Sequence, residues 1–458
     1  MSLFQTIIPI QFKTDNKLSK EQQKAFSSFI QKQNLFITGP GGTGKSQLIK
    51  YIYDYILKHT SKKIQVTALT GCAAVLLNCN AKTLHSWSGV GIDLNKPVDS
   101  IVKKIKTNYY AKKMWYETDI LIVDEISMLS LKFFEILNSV GKKMRKNLKP
   151  FGGIQVIFSG DFFQLPPVGN KEDPDSCRFC FESSQWNDIF EVQNQIIFKT
   201  VFRQSELEFI SILNQVREGR LKSSSLPILQ NLVGKSPPQN LITEPTKLLP
   251  TRYVVDKINK EKMVQLEAKV KTFKMEQIHP TIEQRAKLGN VSDNDIKFEL
   301  QFLKNSILCE EFIDLKIGAQ VMCIVNITDE NENSIKLCNG SQGIVTKFCT
   351  ITSYPFVKFN NGVEMLMKPH TWSSEKYPLL GISQVPLILA WALTIHKSQG
   401  SSLDIAEIDV GSKIFECGQT YVALSRVKSL DGLILTGFDV SKIKVNKKVV
   451  DFYNTFQS

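Results

Sequence analysis

This chain of 458 residues predicts an α/β fold with two parallel sheets and a small β-rich insertion in the second. Three observations carry that reading. Over the first 200 residues, short β-branched runs alternate with helical stretches, the pattern of buried parallel strands joined by crossover helices. A second series of the same kind begins near residue 246. Between its pieces the texture changes to short alternating runs, with Asn361-Gly362 marking a hairpin in "VKFNNGVEMLM". At 42% hydrophobic, a chain of this length can bury a sizeable core, divided among two to four domains or subdomains.

Taken in order, "LFIT" (35 to 38), "IQVTA" (64 to 68), "ILIVD" (120 to 124), "IQVIFSG" (154 to 160) and "QIIF" (195 to 198) read as strands buried on both faces. The second series comprises "TKLLPT" (246 to 251), "LILAWAL" (387 to 393), "AEIDV" (406 to 410) and "GLILTG" (432 to 437). Residues 265 to 310 are charged and weakly patterned, and 315 to 368 read as short antiparallel strands of a β-barrel-like insertion.

Several classes are set aside by composition. The run Val385 to Leu393 falls far short of the roughly 20 apolar residues that cross a bilayer. The N-terminal "MSLFQTIIPIQFK" has neither a basic start nor a small-residue cleavage site, so an intracellular, soluble protein is expected. Nine cysteines scattered over the chain do not form a disulfide framework. Cys177 and Cys180 make one Cys-x-x-Cys without a second pair at zinc spacing, which reads as a loop with two thiols. The net charge of +13 suggests a polyanionic partner. A Lys-rich sequence bias explains part of that excess equally well, since only eight of the 57 basic residues are Arg.

Chemistry enters with "GPGGTGKS": Gly39, Pro40, Gly41, Gly42, Thr43, Gly44, Lys45 and Ser46. The pattern follows a strand and opens a helix. Successive backbone N–H groups there face phosphate, Lys45 reaches the β and γ phosphates of ATP, and Ser46 offers a hydroxyl to Mg²⁺. In "ILIVDEIS" a buried strand delivers Asp124 and Glu125 to the edge where α/β sheets bind ligands. Asp124 fits the metal-positioning carboxylate, and Glu125 the group that orients or deprotonates water. These two motifs define a P-loop NTPase, which includes kinases, switches and motors.

The order of further motifs resembles one family, the superfamily 1B DNA helicases of the Pif (petite integration frequency) type, related to RecD. From Leu18 to Phe438 the sequence carries "LSKEQQKAF", "VTALTGCAA", "TLHSWSGVG", "LIVDEISML", "GGIQVIFSGDFFQLPPV", "VFRQ", "KLLPTRYVVDKIN", "GAQVMCIVN", "NGSQGIV", "LTIHKSQGSSLD" and "TYVALSRVKSLDGL". The stretch "SMLSLKFFEILNSVGKKMR" resembles the segment that separates the Pif type from its RecD relatives. The resemblance implies two RecA-like P-loop NTPase domains. The first covers 1–205, with a wedge subdomain at about 85–115. The second covers 206–458, with an insertion at about 265–385 whose SH3-like β part spans about 315–370. It begins near residue 18, so no appended targeting region is expected.

Carried over by position, the resemblance makes Gln22 the adenine-reading amide, Arg203 and Arg426 the arginines that reach the γ-phosphate across the cleft, and Gln164 its amide sensor. Gly400, with Gln399, sits where contacts link nucleotide and strand. Nucleic-acid contacts are expected from Thr70, His85 and Trp87, with Trp87 equally readable as core, and from Thr394, His396, Lys397 and Ser398 at the end of a buried strand. Pro166 and Pro167 form a rigid connection toward the DNA channel. The basic runs 103–113 and 141–149 read first as solvated helix faces.

The activity so implied is 5′-to-3′ translocation on single-stranded DNA with duplex unwinding, in replication, repair, recombination or telomere maintenance. The implied partners are single-stranded and forked DNA, with G-quadruplexes and DNA–RNA hybrids open, no membrane, and a monomeric enzyme. Nucleus, mitochondrion and viral replication site stay open as compartments. An RNA-directed superfamily 1 helicase would share the ATP site, and a nucleic-acid-binding switch that hydrolyses ATP without unwinding would keep every motif.

Overall fold

The computed structural model describes residues 18–456 apart from 78, 92–93, 171, 239–241, 282–290, 329–334, 375–376, 378 and 396. The N-terminal segment and His396 therefore lie outside the described residues.

The first sheet has six parallel strands: β1 (Leu35–Thr38), β2 (Ile64–Ala68), β3 (Lys82–Thr83), β4 (Ile120–Asp124), β5 (Gln155–Ser159) and β6 (Gln195–Ile197), ordered β3-β2-β4-β5-β1-β6. All five strands expected here are present, and β3 adds a two-residue edge. Their side chains alternate between faces. Leu35, Ile37, Ile120, Ile122 and Ile157 pack with helices α1 (Lys20–Ile30) and α2 (Lys45–His59), while Phe36, Leu121, Val123, Val156 and Phe158 pack on the opposite side. Because every strand is parallel, the loops after β1, β4 and β5 emerge at one edge.

On the second face sit α4 (Leu84–Ser88), α5 (Val98–Thr107), α6 (Tyr109–Glu117) and α7 (Leu131–Arg145), numbered after α3 (Gly71–Leu77). Ile101, Val102 and Ile105 face inward on α5 while Lys103, Lys104 and Lys106 face solvent, the solvated face expected of that run. Arg145 is different: its guanidinium donates to the carbonyls of Trp115, Tyr116, Thr118 and Gly152, so it pins the end of α6 to the sheet.

The second parallel sheet has four strands in the order Ala392–Thr394, β7 (Thr246–Leu249), Ala406–Val410, Leu433–Phe438. The run 387–393 is not one strand. Leu387–Leu389 joins an antiparallel sheet and Ala392–Thr394 the parallel one, because the chain passes between sheets at Ala390-Trp391. The insertion's main sheet is antiparallel and five-stranded, ordered Glu364–Leu366, Pro355–Phe359, Gln342–Phe348, Gln320–Cys323, Leu387–Leu389. It is open rather than the expected barrel. Its edge strands are three residues each, and the last leads straight into the parallel sheet, so the two edges do not pair. The Asn361-Gly362 hairpin is present, with Gly362 at φ 84°. The weakly patterned stretch 265–310 contains strands Lys271–Lys274 and Glu276–Ile278 and the capped helix Asp293–Ser306.

The C-terminal helix Lys447–Asn454 leaves the second sheet and returns to the first. Phe452 stacks on Phe181 at 4.2 Å between ring centroids, and Val449 and Tyr453 are buried in the first domain's core. Among the described residues no helix is long and apolar enough to cross a membrane.

Candidate active site

The loop after β1 wraps the start of α2. Gly44 is the N-cap residue at φ 78°, and a side chain on Gly42 (φ 83°) would meet the Arg203 Cβ at 2.5 Å, so both positions require glycine. The Thr43 hydroxyl closes the loop onto the Pro40 carbonyl at 2.8 Å. Lys45 Nζ donates to the carbonyls of Gly39 (2.7 Å) and Pro40 (3.0 Å), inside the space that phosphate fills in such loops. Burial lowers the ammonium's pKa, and Asp161, Glu125 and Asp124 act against that.

At the end of β4, Asp124 is buried, and the Ser46 hydroxyl donates to its Oδ2 at 3.4 Å. Glu125 follows in a left-handed conformation (φ 55°), an uncommon state for a side-chain-bearing residue that turns it into the cleft. Burial holds both carboxyls above the usual carboxylate range. For Glu125 the adjacent Asp124 adds to the rise, while Lys45 and Arg426 oppose it.

The second domain closes the cleft. Arg426 is buried and donates to the Val422 carbonyl at 2.9 Å and the Ser425 hydroxyl at 2.7 Å. Arg203 donates to the Ser425 carbonyl at 3.3 Å. Burial and the neighbouring Arg203 guanidinium push Arg426 down to about 9. Among the described residues neither arginine is in an ion pair with a carboxylate, so two guanidiniums and Lys45 share a cleft with Asp124 and Glu125, while the nearby Asp161 is already paired with Arg217. That excess of positive charge suits a polyanionic group.

Two contacts tie the loop after β5 to both domains. Gln399 Nε2 donates to Glu125 Oε2 at 3.0 Å and to Gln164 Oε1 at 3.3 Å. Asp161 is fully buried and takes a two-point bond from Arg217, both contacts at 2.8 Å. That guanidinium lies over the rings of Phe163 (4.4 Å) and Tyr453 (5.2 Å), and the Tyr453 hydroxyl bonds Thr38 at the end of β1.

Gln22 reaches the phosphate loop: its Nε2 donates to the Gly44 carbonyl at 3.1 Å, while its Oε1 accepts from the Ser19 N–H at 2.9 Å and caps α1. Beside it, exposed Phe202 presents its ring edge 3.4 Å from the point where a Gly44 Cβ would lie. Gln399 stands where the resemblance placed a link between nucleotide and strand, whereas Phe202, Arg217 and Tyr421 were missed as individual residues. Only their places inside "VFRQ" and "TYVALSR" signalled Phe202 and Tyr421, and nothing local signalled Arg217.

The expected nucleic-acid contacts separate. The Thr70 hydroxyl accepts from the Ala73 N–H at 3.2 Å at the start of α3. Half-buried His85 stacks on Phe133 at 4.3 Å, is held neutral-leaning by burial, and lines a cavity of about 500 Å³ with Pro167 and Asn170. Pro166 is half-buried and outside that lining. Trp87 is corrected to core: it is fully buried against Trp115 at 4.5 Å, and its Nε1 donates to Thr118 at 3.3 Å. In the second domain Thr394 is buried and its hydroxyl accepts from the half-buried Lys397 N–H at 3.1 Å. Ser398 is also corrected, since its fully buried hydroxyl donates to the Ile395 carbonyl at 2.8 Å and shapes the turn rather than a surface. Gly400 is exposed at φ 83°.

Residues 17–226 match the family described as PIF1-like helicase, and residues 300–348 match the 2B domain of DNA helicase Pif1. The "ATP-dependent DNA helicase PIF1" of Emericella nidulans is 34% identical, with 94% of this chain and 62% of that protein covered. The chain thus spans less than two thirds of the length of that relative. The crystal structure of Pif1 helicase from Candida albicans is 35% identical, covers 96% of this chain and 99% of its own, and superposes with a TM-score of 0.73. A structure of two coordinating Pif1 helicases unwinding forked double-stranded DNA is 29% identical, covers 96% and 97%, and gives 0.62. At 35% identity over 96% of this chain and 99% of the Candida albicans structure, the chain belongs to the PIF1-like helicase family.

Proposed function

We propose that this chain is the motor of an ATP-dependent DNA helicase that moves 5′ to 3′ on single-stranded DNA and opens forked duplexes as a monomer. The observation that carries the reading is the bridge from Gln399 of the second domain to Glu125 and Gln164 of the first, beside two arginines without carboxylate partners. ATP bound at Gly39–Ser46 meets Lys45 from its own loop and Arg203 and Arg426 from across the cleft. Glu125 orients the attacking water, and the arginines neutralise charge on the transferring phosphoryl oxygens.

Ser46 Oγ and Asp124 Oδ2 are hard oxygen donors that fit Mg²⁺, which when bound neutralises the β and γ phosphates. Hydrolysis transfers the γ-phosphoryl group to water, and release of the resulting phosphate removes the anion that holds the arginines against the phosphate loop, so the two sheets separate and Thr394 and Lys397 shift relative to Thr70 and His85. Alternating grip on the strand follows from that shift. The 5′-to-3′ direction rests on the family resemblance, as do roles in replication, repair, recombination or telomere maintenance.

Forked duplexes with a single 5′ or 3′ tail test the reading. Strand displacement is expected from the 5′-tailed fork in the presence of ATP. Displacement from neither fork, or from the 3′-tailed fork alone, defeats it. ATPase stimulation far stronger with RNA than with single-stranded DNA of equal length would assign the motor to RNA instead.

A further inference from the structure

One side chain at the phosphate loop has no role in the scheme above. Tyr421 is buried on the short helix Gln419–Leu424 of the second domain, and its hydroxyl oxygen accepts the backbone N–H of Gly41 at 2.8 Å. An amide in such a loop faces a phosphate oxygen when nucleotide is bound, so the phenol oxygen stands in for one. The surroundings indicate which phosphate. A Cβ on Gly41 would lie 3.6 Å from the Tyr421 hydroxyl, 3.6 Å from Arg203 NH1 and 3.7 Å from Arg426 NH2. Three groups therefore converge on one point at the mouth of the loop, and two of them are guanidiniums that suit a terminal phosphoryl group.

The bond from Gly41 uses an oxygen lone pair and leaves the phenol proton to be donated. Burial raises the phenol's pKa to about 12, so that proton is retained at neutral pH. We propose that Tyr421 is a further substrate contact that binds the terminal phosphate of ATP: on nucleotide entry the Gly41 N–H passes to a phosphate oxygen, and the Tyr421 hydroxyl donates to the γ-phosphate. The proposal rests on the ATP reading of this cleft. It makes Tyr421 sensitive to the phosphate that distinguishes ATP from ADP.

Tyr421→Phe removes the hydroxyl and keeps the ring that packs in the core. Equilibrium binding of fluorescent ADP and of a fluorescent non-hydrolysable ATP analogue, both with Mg²⁺, separates the outcomes. A hydrogen bond to a charged oxygen predicts roughly tenfold weaker binding of the ATP analogue, with ADP affinity at the wild-type value. Equal weakening of both ligands points to a purely structural tyrosine and overturns the proposal, as does unchanged or tighter binding of the analogue. A wild-type protein that binds neither nucleotide sinks the ATP reading itself.

Discussion

Gln399 Nε2 lies 3.0 Å from Glu125 Oε2, and this bond joins the loop after one parallel sheet to the carboxylate at the end of a strand in the other. The amide holds the carboxylate proposed to orient water, and it also reaches Gln164, so on that proposal the arrangement of the two domains is felt directly at the site of hydrolysis. Gln399→Ala should retain ATP binding, which depends on Lys45 and the glycine loop. Loss of a hydrogen bond to a charged group corresponds to about 1.5–3 kcal/mol, so turnover should fall roughly tenfold or more. Steady-state kinetics that show a changed KM with an unchanged kcat contradict this positioning role.

Lys45→Ala should abolish hydrolysis, because no other cation emerges from the loop itself. Glu125→Gln keeps the shape of the side chain and should bind ATP with little turnover, a loss on the order of 10²-fold or greater. Near-wild-type rates in either variant overturn the assignment of the site.

Burial raises the Glu125 carboxyl above the usual carboxylate range, and the sign of its pH effect follows. A carboxyl that binds its proton more tightly when folded favours folding at low pH, and that contribution is lost as pH rises through the folded value. Glu125→Gln should therefore melt higher than wild type near neutral pH, and the gap should close on acidification. Melting curves across pH test this, with a lower melting temperature at pH 7 as the contrary result. ATP turnover, which needs the ionised form, should lose its acid limb at a pH above the ordinary carboxylate range.

Trp87→Phe should lower stability by about 1–3 kcal/mol through a cavity and a lost bond to Thr118, and leave single-stranded DNA affinity unchanged. A large loss of affinity in a normally stable variant would return Trp87 to the DNA surface.

Breaking the buried Asp161–Arg217 pair by Arg217→Ala should cost about 3–5 kcal/mol, because it leaves an uncompensated carboxylate. Asp161→Asn combined with Arg217→Ala should cost less than the single changes Asp161→Asn and Arg217→Ala summed. Denaturant titrations of all three variants measure the coupling, and additive losses would rule it out.

Legibility differed by element. Five of the six strands of the first sheet were readable because they are short, largely buried β-rich runs, and the phosphate loop because its geometry demands glycine at fixed spacings. The run 387–393 misled because two adjacent buried strands leave the same apolar pattern as one, although they belong to different sheets. Trp87 and Ser398 stood in the right motifs, yet neighbouring helices and turns decided their exposure.

Arg203 and Arg426 were placed through the resemblance to a family, whereas by itself the sequence determined the order of the two sheets, the phosphate loop and the acidic pair at the end of β4. These follow from local periodicity and from residue types that one chemistry requires at short spacing. Only the tertiary structure decided that Gln399 bridges Glu125 and Gln164, that Arg217 neutralises Asp161, and that Tyr421 meets Gly41. Those partners lie between 56 and 380 positions apart in the chain, and hydrogen bonds across such separations depend on how packed domains face each other.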